Sequence, residues 1–457
     1  MSAGRRAADD VGVGAPVHRG TFTVADAERL LWRAGFGPRH GEAESLQKLG
    51  LEGAVHSLLN PGDEKLIGPK PHDSKGRPLA PFDVWGHDHC WWFDRMIRTS
   101  RPLVERMTLV WHDWFATSND GVGSQRLMID QNQLFRKHSM GSFPDLLVDV
   151  TANPAMLLWL NGTENRKDAP NENYGREMME LFTLGADRGA YTERDVREQA
   201  RSLTGWTNRW SAGRGDYDFH FDTGEHDTGT KIVFGKRGDY SWRDACRLCI
   251  SNSKHPSFFV QKLWSYFVPT MADAKTQAAL EAAYRKDGQV RDVLQVILMH
   301  PTLYRGPRMM KPPTVHAAGL LRRIGGGVTT DAWAWIGSLS GQQLFYPPNV
   351  AGWDDTRWLD TATFRGRWIG VQQILQSHQL NPSKAKKAAD APTTLAQALN
   401  FWRNPALSTA THNALLRFAH GAIASAGNAT WKQVQYPVLV ENALRQLVAV
   451  SPDLQTS

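Results

Sequence analysis

The chain has 457 residues, 41% of them hydrophobic, and a formal net charge of +7. Such a length can bury a large core, and the lack of any run of 18 apolar residues excludes a transmembrane helix. Three cysteines, an odd number in so long a chain, exclude a disulfide framework.

Residues 1–22 read as a disordered tail. The tail carries Arg5 and Arg6 but no apolar stretch of signal-peptide length, so the chain as written is expected in the cytoplasm, and exported if its true start lies upstream. Helical periodicity then predicts helices over 24–35, 42–48 and 51–59, a Pro- and Gly-rich linker at 61–82, and further helices over 87–99, 102–116, 124–138 and 142–152. His87, His89 and Cys90 form one group of potential metal ligands. His112 lies late in the helix 102–116 on a face shared with Met107 and Leu109, where it is either a core histidine or a partner for chemistry.

The stretch 161–206 is the most informative. A polar loop feeds directly into two helices, 172–184 and 193–204, and so brings amides and carboxylates to helix N-termini, where backbone N–H groups are unpaired. At 100° per residue, Tyr174, Glu177, Met178, Leu181, Phe182 and Leu184 share the apolar face of the first helix, with Glu177 as the odd acid among them. Glu172, Arg176 and Glu180 are spaced four apart as a solvated ion-pair ladder. A buried Glu177 must be paired, metal-bound or protonated, and is therefore a candidate acid–base group or metal ligand. In the second helix, Thr192 and Asp195 form a capping box, while Arg201 or Arg197 can reach a carboxylate or an anionic ligand.

Strand signal is sparse. Alternation over 216–221 and 231–234 predicts a hairpin or a long ordered loop carrying His226 and Asp227, a pair able to hold a divalent cation or move protons. The expected arrangement is a polar pocket where the helix starting at Asn171 meets this loop, with Asn173 and Lys311 at its lip. Cys246 and Cys249 make a CxxC, yet Ser241 and Asp244 start a helix that holds both, so they read as small buried hydrophobes, apart from His87 and His89.

Helices follow over 241–251, 255–267, 274–286, 290–299, 313–324 and 362–378. Between the last two, Phe345 to Trp353 forms a proline-stiffened loop whose Asn349 and Trp353 can wall a pocket. Eighteen tryptophans read mostly as core residues. The chain is thus divided into a main helical domain, 23–380, a linker, 381–392, and a C-terminal helical segment, 393–457, packed on the main domain. The fold class is mainly α. Basic residues are dispersed apart from Lys384, Lys386 and Lys387, and no nucleic-acid-binding signature accompanies them, so nucleic acid is not the expected partner.

Several runs are recognisable in order: LLWRAGFG at 30–37, ERMTLVWH at 105–112, NPAML at 153–157, PNENY at 170–174, then Arg176-Glu177, Glu180-Leu181, Thr192 and LTGW at 203–206. His226-Asp227, His255-Pro256, KLW at 262–264, Lys311-Pro312, PPN at 347–349 and Gly352-Trp353 continue the series. Together, over residues 24–370, they resemble the bacterial family catalogued as domain of unknown function 1800. The resemblance implies a predominantly helical fold and leaves the activity unassigned. It also marks two departures: Asp113-Trp114 follows His112 where the family has a small or amide residue and a second histidine, and Phe182 stands where the family often has histidine. If those histidines serve a metal or proton-transfer site, this chain has lost or replaced that part.

Two functions follow as expectations. The first is a hydrolase-like enzyme, with Glu177, His112, His226 and Asp227 as catalytic residues, Asn171, Glu172, Asn173, Arg201, Lys311, Asn349 and Trp353 as binding residues, and a divalent metal as the one cofactor that could be drawn. The alternative is a non-catalytic binding or assembly protein in which the same polar cluster is a structural network.

Overall fold

A computed structural model describes residues 14–427 and 429–457. The fold is mainly α, with twenty-three α-helices and two small two-stranded antiparallel sheets among the described residues. Of the proposed tail, residues 1–13 lie outside the described part. Residues 14–22 are laid on the body instead: the His18 ring stacks on Tyr304 at 4.7 Å, its backbone N–H bonds the Met299 carbonyl, and Phe22 is buried.

Local chemistry sets the helix ends. Thr23 and Asp26 form a capping box at the start of Val24–Arg33, as Thr192 and Asp195 do for Glu193–Ser202. Pro102 occupies the first turn of Pro102–Trp114, where its missing N–H costs nothing. That helix is buried along nearly its whole length and separates two cores. Met107, Val110, Trp111 and Trp114 belong to one, which gathers the helices Phe143–Thr151, Trp242–Ile250, His255–Ser265 and Val290–Met299. Leu109 belongs to the other, with His87–Arg98, Pro313–Ile324, Thr361–Leu375, Ala391–Phe401 and Thr430–Ala449. The C-terminal helices therefore share a core with the middle of the chain, and the Trp402 indole donates to the Arg445 carbonyl inside it.

A long ordered loop over residues 222–230 carries His226 and Asp227, and the strands on either side of it pair locally. The strand β1 (Trp206–Ser211) pairs with β2 (Gly215–Phe221), and β3 (Lys231–Val233) pairs with β4 (Lys236–Gly238). Turn residues decide this. Phe234 and Gly235 both have positive φ, at 51° and 73°, so the chain reverses within two residues and β3 finds its partner locally instead of on β2. The expected helix 172–184 is also divided: Asn173–Glu177 is α, and Met178–Thr183 is a π-helix, in which both the Leu184 and Gly185 N–H groups bond back to Met179.

Cys246 and Cys249 lie on the one helix Trp242–Ile250, while His87, His89 and Cys90 open His87–Arg98 in the other core. All three thiols are buried, and burial pushes those of Cys90 and Cys246 up to about 12 and that of Cys249 up as well. A thiol reagent at pH 8 is thus expected to react with none of them until denaturant is added. Rapid modification of even one in the native protein would contradict their burial.

Candidate functional site

The polar segment after residue 161 folds into a network. Asn161 adopts a left-handed backbone, φ 57°, and its side-chain oxygen accepts from the Asn173 amide at 3.1 Å. Asn165 reaches both ways, its Oδ1 accepting from Asn171 N–H at 2.8 Å and its Nδ2 donating to the Ala200 carbonyl at 2.9 Å. Glu172 and Glu193 hold Arg176 on the outer side. The loop after β2 joins from above, where Lys167 N–H donates to the Glu225 carbonyl.

His226 and Asp227 are tied to the helix Glu193–Ser202. A carbonyl only accepts, so His226 donates from Nδ1 to the Thr204 carbonyl, at 2.9 Å. The Asp227 carboxylate takes a two-point contact from Arg201, at 2.6 and 3.1 Å, and the N–H of Gly229 at 2.7 Å. Burial works upward on this carboxyl, but the bonds from Arg201 and Gly229 hold it below its ordinary value. Arg201 completes its fork on Glu198, whose other contact is the Ile232 N–H of β3. Asp227→Ala is expected to cost about 1–3 kcal/mol of stability, because Arg201 and the Gly229 N–H lose their acceptor. Chemical denaturation measures this, and an unchanged midpoint would show the network to be slack.

Glu177 corrects the expectation placed on it. It is half-buried rather than enclosed, and no hydrogen-bond partner for its carboxylate is found among the described residues. Burial first, and then the neighbouring Glu180, raise its pKa, with Arg176 opposing. Its place at the margin of the apolar face, beside buried Met178, leaves it partly open to solvent.

His112 is enclosed. Its ring lies 5.2 Å from Trp92, 5.6 Å from Phe345 and 5.4 Å from Trp353, its Nε2 has no partner, and burial lowers its pKa to about 3. The proline-stiffened loop does close over this end of Pro102–Trp114. Trp353 N–H donates to Asp113 Oδ1 at 2.8 Å, and Gly352 sits so near that a Cβ there would meet Asp113 Oδ1 at 2.3 Å. Asn349 is exposed and accepts from Ala351 N–H in a local turn.

Asp113 has two neighbours that sequence reading missed. Tyr266 donates its hydroxyl to Oδ2 at 2.7 Å, and Lys262 stands close enough for Asp113 to favour its charge. Burial raises the pKa of Asp113 and lowers that of Lys262 to about 8. Lys262 donates to the Leu181 carbonyl at 2.9 Å and lies 4.6 Å over the Trp114 ring. The only signal in the sequence was an acid beside His112 and a lysine in a recognisable run, too far apart to be joined without a fold.

The two departures meet in space. The Trp114 indole donates to the Phe182 carbonyl at 3.1 Å, and Phe182 packs on Phe115 at 5.0 Å, both fully buried. Lys311 belongs elsewhere: it is buried 3.7 Å over the Trp32 ring and donates to the Leu454 carbonyl, far from the expected lip of the pocket. Among the described residues, no group of three or more His, Cys, Asp or Glu side chains is placed to hold a metal ion, and no helix is long and apolar enough to cross a membrane.

No curated protein and no solved structure matches the chain. The family described as "Protein of unknown function (DUF1800)" matches residues 29–456, nearly the whole sequence, and includes every residue discussed above from Leu30 to Leu454. The chain belongs to this family.

Proposed function

We propose that the protein is a non-catalytic binding or assembly protein, in which the polar cluster between Asn161 and Asp227 serves as a structural network. One observation carries this reading. Among the described residues no hydrogen bond joins any two of Glu177, His112, His226 and Asp227: the Asp227 carboxylate is turned to Arg201 and away from His226, and His112 is enclosed by rings. Acid–base catalysis requires a base within hydrogen-bond reach of the group it serves, and here the carboxylate that would orient a histidine is already engaged. Trp114 and Phe182 add support, since indole and phenyl rings fill the places where the family resemblance put two histidines.

A hydrolase-like enzyme is the second reading, and it has one observation in its favour. Asp113, Tyr266 and Lys262 are half-buried, mutually close and shifted in pKa, as proton-transfer groups often are. Turnover separates the two readings. Ester, amide and phosphoester reporters, with and without added divalent metal, are expected to be hydrolysed no faster by the native protein than by a Lys262→Met, Asp113→Asn variant. Turnover lost in that variant would overturn the binding reading. A metal bound in stoichiometric amount and lost in Glu177→Gln would do the same.

A further inference from the structure

A cleft of about 850 Å³ lies away from all of these residues. It opens between His87–Arg98, the start of Pro102–Trp114, the end of Gln125–Lys137 and the start of Val290–Met299. Five cationic side chains line it: Arg95, Arg101, Arg136, Lys137 and Arg291.

Their partners do not balance them. Glu105, completely buried beneath the floor, accepts from Arg136 at 2.6 and 2.9 Å and lies 3.7 Å from Arg95. Arg95 also pairs with Glu64. Both guanidinium groups rest on the Trp91 ring, at 5.6 and 5.7 Å, so they are fixed in place before any ligand arrives. Among the described residues Lys137 pairs with Asp149 alone, at 3.6 Å, and both of these are exposed. Arg291 has the neutral Asn60 amide oxygen. Arg101 has no carboxylate among the described residues, and its buried Nε has no partner at all. Arg101 also stands at the N-cap position of Pro102–Trp114, the positive end of that helix dipole, without a side-chain capping bond.

Of the residues that line the cleft, five are cations and one, Glu64, is a carboxylate, with Glu105 buried beneath it, and among the described residues neither Arg101 nor Arg291 makes an ion pair. Guanidinium groups bring several N–H donors in a planar fork, which matches phosphate oxygens, and rigid preorganised donors lose little freedom on binding. The volume falls in the range of small-molecule sites. We propose that this cleft binds a small phosphate-bearing polyanion, gripped by Arg101 and Arg291 and by the free N–H groups of Arg95 and Arg136. The proposal rests on the binding reading only in giving it a ligand, and the same phosphate chemistry is met by a free phosphorylated molecule or by a lipid headgroup.

Calorimetric titration with inorganic tripolyphosphate and sedimentation with phosphatidylcholine vesicles containing phosphatidylglycerol test it on the full chain. The Arg101→Gln, Arg291→Gln variant is expected to bind at least tenfold more weakly while keeping the native unfolding midpoint. A Lys236→Gln, Arg237→Gln variant, which removes two exposed charges outside the cleft, should bind as the native protein does. Loss confined to tripolyphosphate assigns a free ligand, and loss confined to vesicles assigns a headgroup. Absence of binding to both probes, or equal weakening in the two variants, overturns the site. Release of inorganic phosphate from tripolyphosphate would overturn the non-catalytic reading and leave the cleft standing.

Discussion

Glu105→Ala is expected to destabilise the protein by about 3–5 kcal/mol, the usual cost of removing one partner from a buried ion pair. The carboxylate is fully enclosed and accepts three hydrogen bonds, from Trp92 Nε1 at 2.7 Å and from two nitrogens of Arg136. Its removal leaves the Trp92 indole N–H without an acceptor and Arg136 with only the neutral Asn132 side-chain oxygen, while Arg95 keeps its pair with Glu64. Burial works to raise the Glu105 pKa, yet Arg136 and Arg95 hold it below its ordinary value, so its contribution is present at neutral pH and is lost as pH falls through that depressed value. Denaturant unfolding at pH 7 gives the measurement. A loss below about 1 kcal/mol would mean that the two arginines find water or other acceptors, and that the cleft floor is not rigid.

Acidification from pH 7 to pH 5 is expected to weaken the fold, and buried histidines are the cause. Burial lowers His89 and His112 to about 3 and His255 to about 4, from an ordinary 6.5. The unfolded chain takes up protons below pH 6.5 that the folded chain refuses until about pH 4 to 3, so stability falls through that window. At pH 5 each of the three costs about 2 kcal/mol. Asp88 and Asp94 oppose this, because burial pushes both up to about 6 and the folded state gains their protons first, returning about 3 kcal/mol between them. For these five groups the balance is a loss of about 3 kcal/mol; His316, also lowered by burial, adds to that side, and Asp113 and Glu177, raised by burial, act on the other. His112→Phe keeps the ring cluster and removes one titrating group, so its unfolding midpoint should depend less steeply on pH. Curves parallel to those of the native protein would mean that His112 is charged when folded.

The helices were legible because their signals are local. Thr192 with Asp195 and Ser241 with Asp244 both cap where the sequence placed them. Short helices such as Pro154–Trp159 and Trp333–Leu339 were missed, since one or two turns carry too little periodicity to read. The candidate site was harder for a different reason. His226 and Asp227 stand next to each other in the sequence, yet successive side chains of an extended loop diverge, and Asp227 found Arg201 on a neighbouring helix. The arginine cleft gave no sequence signal at all, because its five cations come from separate segments with ordinary spacing. The packing of His87–Arg98, Pro102–Trp114, Gln125–Lys137 and the start of Val290–Met299 brings them together around one cleft.

The π-helix at Met178–Thr183 has a consequence for anyone who wishes to edit this protein. Hydrogen bonds that reach back five residues instead of four store one residue more than an α-helix of equal span would hold. That surplus makes the segment a point where chain length is adjustable. Deleting one residue there would let the backbone relax to ordinary α geometry with the downstream register kept, at the cost of the segment's own contacts, in which the Phe182 carbonyl accepts from the Trp114 indole and the Thr183 carbonyl bonds His255. Replacement by an idealised helical sequence of unchanged length would meet the opposite difficulty, with an extra residue pushed into Gly185, where the Phe258 ring leaves no room for a side chain.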